Sequence, residues 1–351
     1  MLRRLAALAA FVSTVLVAGA SGAQPTGIGL ATYNGPDRLQ KIVEGAKKEA
    51  ALTIYTSAPV DDMKPLADAF EKKYGVKVTV WRSSSEKVLQ RGLAEAKATR
   101  YDVDVFETNG PEMEALVREK ILTPVTSPVI DELIPEARFL HRSWFGARLN
   151  IFAIAFNTKE VKKADLPKTY EGFLDPRWKG KLGIEAEDGD WFSGVSAALG
   201  EKKAEQLFRD IVKRNGMSVR KGHTLLTNLV ASGEVPVALT TYNYKAEQLR
   251  RKGAPIDWYV IPPAIARANG VGVAAKAPHP HAALLWLEYE LSVEGQNILY
   301  ERDFIPTNRK VETNLNKFPL KFMDNRALLD DGSKWDKKYV EIFGERGSGP
   351  K

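Results

Sequence analysis

Two clusters in this 351-residue chain carry side chains whose types and spacing could do chemistry. The first is Tyr242-Asn243-Tyr244 in "VALTTYNYKAEQL", where a strand-like apolar run meets a helix-like stretch. Phenols at such a junction can bind a hard metal ion as phenolates or wall an aromatic slot for a small molecule. They can also pack against a sheet while Asn243 caps the helix. The second is "EAEDGDWFSG", with Glu185, Glu187, Asp188 and Asp190 ahead of Trp191 and Phe192. Its carboxylates could act as a glycosidase pair, or simply favour a helix N-terminus. Asp188-Gly189-Asp190 lacks the ligand spacing of an EF-hand calcium loop. Trp191 is expected to line a pocket, since aromatic side chains commonly wall small-solute sites.

Other chemistries lose ground on residue type. The absence of cysteine excludes disulfides, thiol nucleophiles, cysteine-based zinc sites and a lipidated cysteine anchor. His141, His223, His279 and His281 show no helical metal spacing and are expected to be structural. No G-x-S-x-G, H-E-x-x-H or P-loop pattern occurs after the leader. The chain is therefore not expected to be an enzyme, with an exported carboxylate-dependent hydrolase as the alternative from a different class. Arg148 and Arg267 could meet a ligand carboxylate or phosphate bidentately, or form hinge ion pairs.

The elements that must position these residues follow a βαβα rhythm. "ALTIYTSAP", "VKVTVW" and "YDVDVFETNG" read as strands, and "DDMKPLADAFEKKYG" and "PEMEALVREKIL" as helices between them. Ser83-x-x-Glu86 reads as a capping box opening another helix. Such a rhythm predicts an α/β fold with mainly parallel sheets flanked by helices. Ligands in open α/β sheets lie beyond the carboxyl ends of the strands. That rule singles out Thr56 and Ser57, then Ser84 and Ser85, then Asn109. Each also fits an ordinary cap or turn.

The N-terminal "MLRRLAALAAFVSTVLVAGASGAQP" has a basic start, a short apolar run and a small-residue exit. It is expected to be a signal peptide over residues 1–23, leaving a soluble periplasmic protein with no stable membrane insertion after cleavage. Length suggests about two domains. The formal net charge of +7 includes Arg3 and Arg4 of the leader, and the other charges are interleaved. That pattern argues against a nucleic-acid partner.

The phrases "AFEKKYGVKVTV", "VDVFETNG", "AIAFNTKEV", "YEGFLDPRWKGKLGI", "LVASGEVPVALTTYNY", "NGVGVAAKAPHPHAALLW" and "ELSVEGQ" occur in a familiar order. Together they resemble bacterial extracellular solute-binding proteins of ABC importers, in the branch of the ferric-ion-binding proteins. The resemblance covers nearly all of the chain after the leader. It implies a two-lobed type II periplasmic-binding-protein fold that closes on a small-molecule ligand and delivers it to an inner-membrane ABC permease. It places the interlobe crossings near residues 152–157 and 265–271. Lobe one would then be residues 24–152 plus 266–310, and lobe two residues 153–265 plus 311–351. In iron-binding members a His follows the first strand, a Glu follows the "DVF" strand and two adjacent Tyr follow the "GEVP" strand. Here those positions fall near Pro59, on Asn109, and on Asn243-Tyr244, with Tyr242 one place early. The expected ligand is a small polar organic solute, anionic forms included, with no resident cofactor. The alternative is ferric iron as ligand, with Tyr244 the one metal-binding position retained. Expected contacts are Thr56, Ser57, Ser84, Ser85 and Asn109 from lobe one, and Asp190, Trp191, Tyr242, Asn243 and Tyr244 from lobe two.

Overall fold

The computed structural model describes residues 27–314 and 318–344. The expected signal peptide and the terminal "RGSGPK" lie outside them. The first helix, α1 (Arg38–Glu49), buries Ile42 and Ala46 one turn apart. Next comes β1 (Ala51–Thr56), followed by α2 (Val60–Tyr74), which buries Met63, Leu66, Ala67 and Phe70. Gly75 ends α2 with a φ of 72°, a left-handed turn that glycine adopts without a Cβ clash. The rhythm continues through β2 (Lys77–Arg82), α3 (Ser85–Lys97), β3 (Val105–Asn109) and α4 (Gly110–Arg118). The cap of α3 falls one residue later than the capping-box pattern predicts: Ser84 accepts from the Lys87 N–H at 3.4 Å.

After β4 (Phe145–Asn157) come β5 (Leu182–Glu185), α5 (Gly189–Leu199), α6 (Glu201–Asn215), β6 (Ser218–Arg220) and α7 (His223–Ser232). Then follow β7 (Val237–Tyr242), α8 (Asn243–Arg251), β8 (Ile256–Tyr259), β9 (Ala264–Val273), α9 (Pro280–Leu291) and α10 (Val293–Glu301). The chain closes with β10 (Ile305–Pro306), β11 (Leu320–Phe322) and α11 (Asn325–Phe343). No helix among the described residues is long and apolar enough to cross a membrane.

The strand path runs β2-β1-β3-β9-β4-β7-β5-β6. Its outer pairs are parallel, as βαβ units require, whereas β9 and β4 run antiparallel to each other and to their neighbours β3 and β7. β4 is the joint. It has 13 residues, all buried; those up to Ile151 pair with β9, and those from Phe152 pair with β7 and β8. Lobe one is the half built on β1, β2, β3 and β9, and lobe two the half built on β5, β6, β7 and β8. The chain returns through residues 260–263, since β8 pairs in lobe two and β9 in lobe one throughout. Pro262 and Pro263 have no N–H to offer a ladder, so pairing stops there.

Each lobe has its own aromatic core. In lobe one Phe70 meets Trp286 and Tyr289 with centroids 5.1 and 5.5 Å away. In lobe two Phe208 meets Trp191, Phe192 and Phe343 at 5.4, 5.9 and 5.6 Å. α11 covers this second core with Tyr339 and Phe343 and reaches lobe one through Arg118–Asp330 and Arg326–Glu114 ion pairs.

Candidate functional site

On the lobe-one side, the strand ends carry the polar groups the sequence singles out. Thr56 is fully buried and its Oγ1 accepts from the Ala58 N–H at 2.9 Å, so it shapes the turn. Ser57 and Ser85 are half-buried and Ser84 is exposed at the start of α3. Asn109 ends β3 and heads an amide chain. Its Oδ1 accepts from Asn269 Nδ2 at 3.1 Å, and Asn269 Oδ1 accepts from Asn150 Nδ2 at 2.5 Å. That chain ties β3, β9 and β4 together where lobe one faces lobe two.

Across the gap, β5 and β7 deliver the second wall. Glu185 ends β5 with both carboxylate oxygens accepting backbone N–H groups, from Glu187 at 2.5 Å and Gly222 at 2.7 Å. Asp188 precedes α5, and its Oδ1 lies 3.1 Å from Nε2 of His223, the first residue of α7. Burial works against a charged His223 imidazole, but the adjacent Asp188 carboxylate more than offsets it and raises its pKa. Gly189 is required here for space, because a Cβ would lie 2.4 Å from Asp336 Oδ1 and 3.0 Å from the Asp336 backbone nitrogen. α11 thus seats directly against the start of α5.

Asp190 is the link between lobes. It pairs with Arg267 of β9, whose guanidinium also lies 5.4 Å from the ring centroids of both Phe152 and Tyr242. Burial pushes the Asp190 carboxyl up, against the pull of Arg267. Glu112, in the first turn of α4, faces the same Arg267; burial pushes it up to about 7. Its Oε2 is shielded from solvent and has no hydrogen-bond partner.

The three junction residues separate. Tyr242 ends β7 and stacks on His223 with ring centroids 3.8 Å apart. Asn243 does not cap α8; it is fully buried and its Oδ1 accepts from the Ile151 N–H at 3.2 Å, pinning β4 where it changes lobes. Tyr244 packs on Phe304 at 4.3 Å and lies 6.0 Å from Tyr242, the two phenol planes 16° apart. Its phenol pKa is pushed up by burial and by Asp62, so the protonated form is favoured. Trp191 departs from its expected place on a ligand wall. Its ring is 1% exposed, inside the lobe-two core, because α5 turns that face toward α6.

Residues 56–297 match the family described as bacterial extracellular solute-binding protein. The chain belongs to this family. The solute-binding protein is also 25% identical over 321 residues to the Fe(3+)-binding periplasmic protein of Serratia marcescens, covering 87% of this chain and 92% of that one. Among solved structures, iron-bound HitA from Pseudomonas aeruginosa superposes with a TM-score of 0.72 at 20% identity, over 83% of this chain and 99% of that one. AfuA from Actinobacillus pleuropneumoniae, with fructose-6-phosphate bound, gives 0.73 at 22% identity, over 84% and 98%. Both likenesses show that the fold of this solute-binding protein is the two-lobed α/β one.

Some residues of the interlobe region are not marked by the sequence. Glu112 reads as an ordinary acid in a first helical turn, and Phe152 as one apolar position of a strand. His223 reads as structural, yet it stands beside Asp188 and under Tyr242. The other histidines are structural: His141 pairs with Glu114, His279 with Asp104 and His281 with Glu49. Arg148 is buried against Glu107 behind Phe304, an internal ion pair of lobe one. One cavity of about 230 Å³, between Tyr170, Val195, Ile261 and Pro262, lies away from these groups.

Proposed function

We propose that this solute-binding protein captures one small polar organic solute in the periplasm, between its lobes, and delivers it to an inner-membrane ABC permease. The carrying observation is the meeting of Arg267 from lobe one with Asp190 and Tyr242 from lobe two, with Asn109 tied to Asn269 on the same strand as Arg267. Polar groups converging from two bodies at one crevice are what a closing receptor offers its ligand. Lobe one contributes Ser57, Ser84, Ser85 and Asn109, with Thr56 shaping the turn beneath them. Lobe two contributes Asp190, Tyr242 and Tyr244, with Asn243 fixing the joint and Trp191 supporting α5 from the core. Ligand that touches both lobes stabilises the closed state by its differential affinity for it.

Ferric iron is the second reading, favoured by the names of the relatives and by two near-parallel phenols 6.0 Å apart. Against it, burial and the nearby Asp62 raise the cost of ionising the Tyr244 phenol, which packs on Phe304. Titration calorimetry with organic solutes and with ferric citrate, followed by recovery of each compound, separates the readings. A saturable organic ligand recovered intact is expected. A visible phenolate-to-iron absorption band on ferric loading would favour iron, and consumption of the solute would favour a hydrolase.

A further inference from the structure

Glu185, Asp188 and His223 come together at the ends of β5 and the starts of α5 and α7, and the solute reading leaves their convergence unused. One ligating atom from each lies within 4.8 Å of the others. Glu185 is 4% exposed and Asp188 2%. Donors so placed can surround one ion at the roughly 2.0–2.2 Å that carboxylate oxygens and imidazole nitrogens keep from a metal, once their side chains turn toward it.

Two further observations point to a ligand at this place. Asp188 Oδ2 and His223 Nδ1 are both shielded from solvent, and neither has a hydrogen-bond partner. Buried polar atoms are satisfied in the great majority of cases, so the unpartnered oxygen of Asp188, a side chain 2% exposed, calls for an occupant. Charge gives the second. Two buried carboxylates face one imidazole, while the nearby cations are committed elsewhere, Arg267 to Asp190 and Lys221 to Glu187. Two buried carboxylates thus share one imidazole as their side-chain charge partner, and a divalent cation bound in place of its proton balances both.

We propose that Glu185, Asp188 and His223 form a binding site for a divalent first-row metal ion on the lobe-two wall. Two carboxylates with one imidazole suit zinc or manganese, since imidazole favours the former and carboxylate the latter. The site is held firmly: backbone N–H groups orient Glu185, and Tyr242 stacks on the His223 ring at 3.8 Å. Three protein donors leave coordination positions open for an oxygen of water or of solute. This site uses neither Tyr244 nor the lobe-one serines, so its donors differ from those of the ferric reading, and it lies beside the solute contacts Asp190 and Tyr242.

The test uses metal alone. Protein stripped with a chelator is titrated with Zn²⁺ and with Mn²⁺ by calorimetry, in the absence of solute. One equivalent should bind for at least one of the two ions, and Asp188→Asn and His223→Gln should each weaken it tenfold or more. Tyr244→Phe should bind the same ion as the wild type does. Circular dichroism and the melting temperature of each metal-free variant establish that it is folded; should His223→Gln fail there, X-ray absorption of the metal-loaded wild type reads the imidazole directly. No stoichiometric uptake of either ion, or uptake that survives both substitutions, overturns the site. Either result leaves solute capture standing, because solute titration is measured separately.

Discussion

The Trp191 indole has Tyr170, Phe208 and Phe343 around it, with centroids 6.0, 5.4 and 6.4 Å away. Enclosed on these sides, it holds α5 onto α6 and α11, so it acts on the site through packing. Trp191→Ala should therefore lower unfolding stability by about 3–5 kcal/mol, the usual cost of removing a buried large aromatic. Denaturant unfolding checks the cost, and titration at low temperature should find solute affinity within a few-fold of wild type. A collapse of affinity with stability intact would return the indole to the ligand wall. Single residues are where sequence reading is weakest, for a physical reason. Trp191 and Tyr242 both follow polar stretches at element boundaries, and only the rotation of each element about its axis decides which faces a core. Asn243 illustrates the same limit: an amide at a helix start reads as a cap, yet its partner is Ile151, 92 residues away in sequence.

Helix starts dominate the interlobe region at the level of elements. α4 presents Glu112 from lobe one and α5 presents Asp190 from lobe two, with Arg267 of β9 near both. Glu86, at the start of α3, adds a further negative charge toward Glu112. Burial raises Glu112 to about 7 from an ordinary 4.5, so the folded protein holds this proton more tightly than the unfolded chain does. Its contribution is thus most favourable below about pH 4.5 and is lost as pH rises through about 7. Unfolding stability should fall between pH 5 and 8 by on the order of 1–3 kcal/mol more in the wild type than in Glu112→Gln. Parallel denaturation curves at the two pH values check it, and identical slopes for both proteins would count against a buried Glu112. The βαβ elements themselves were legible because apolar alternation and helical period are local properties. The start of β9 was not: it lies at Ala264, directly after two prolines that separate the β8 pairing with β4 from the β9 pairing with it.

Across the whole molecule, two bodies share one continuous strand path and close on each other by several polar clasps. Besides Arg267–Asp190, Asp62 at the start of α2 receives Lys245 and Gln248 of α8 at 3.2 and 2.9 Å, and Arg302 after α10 at 2.8 Å. Asp62 is 1% exposed, and its bonds to Lys245 and Gln248 cross from lobe one to lobe two, whereas Arg302 reaches it from within lobe one. A receptor that closes in this way gains its switch from the ligand, because contacts to both walls are available in one state alone. The family and its two-lobed architecture were readable from the order of many short phrases, whereas the ligand depends on side chains that meet from distant parts of the chain. The central claim is that the cargo is one small organic solute. Native mass spectrometry of protein purified from its own cells tests it most directly. The account predicts a non-covalent adduct with the mass of one small organic molecule per chain, released intact on unfolding. An adduct with the mass of a single iron ion and no organic component would contradict it.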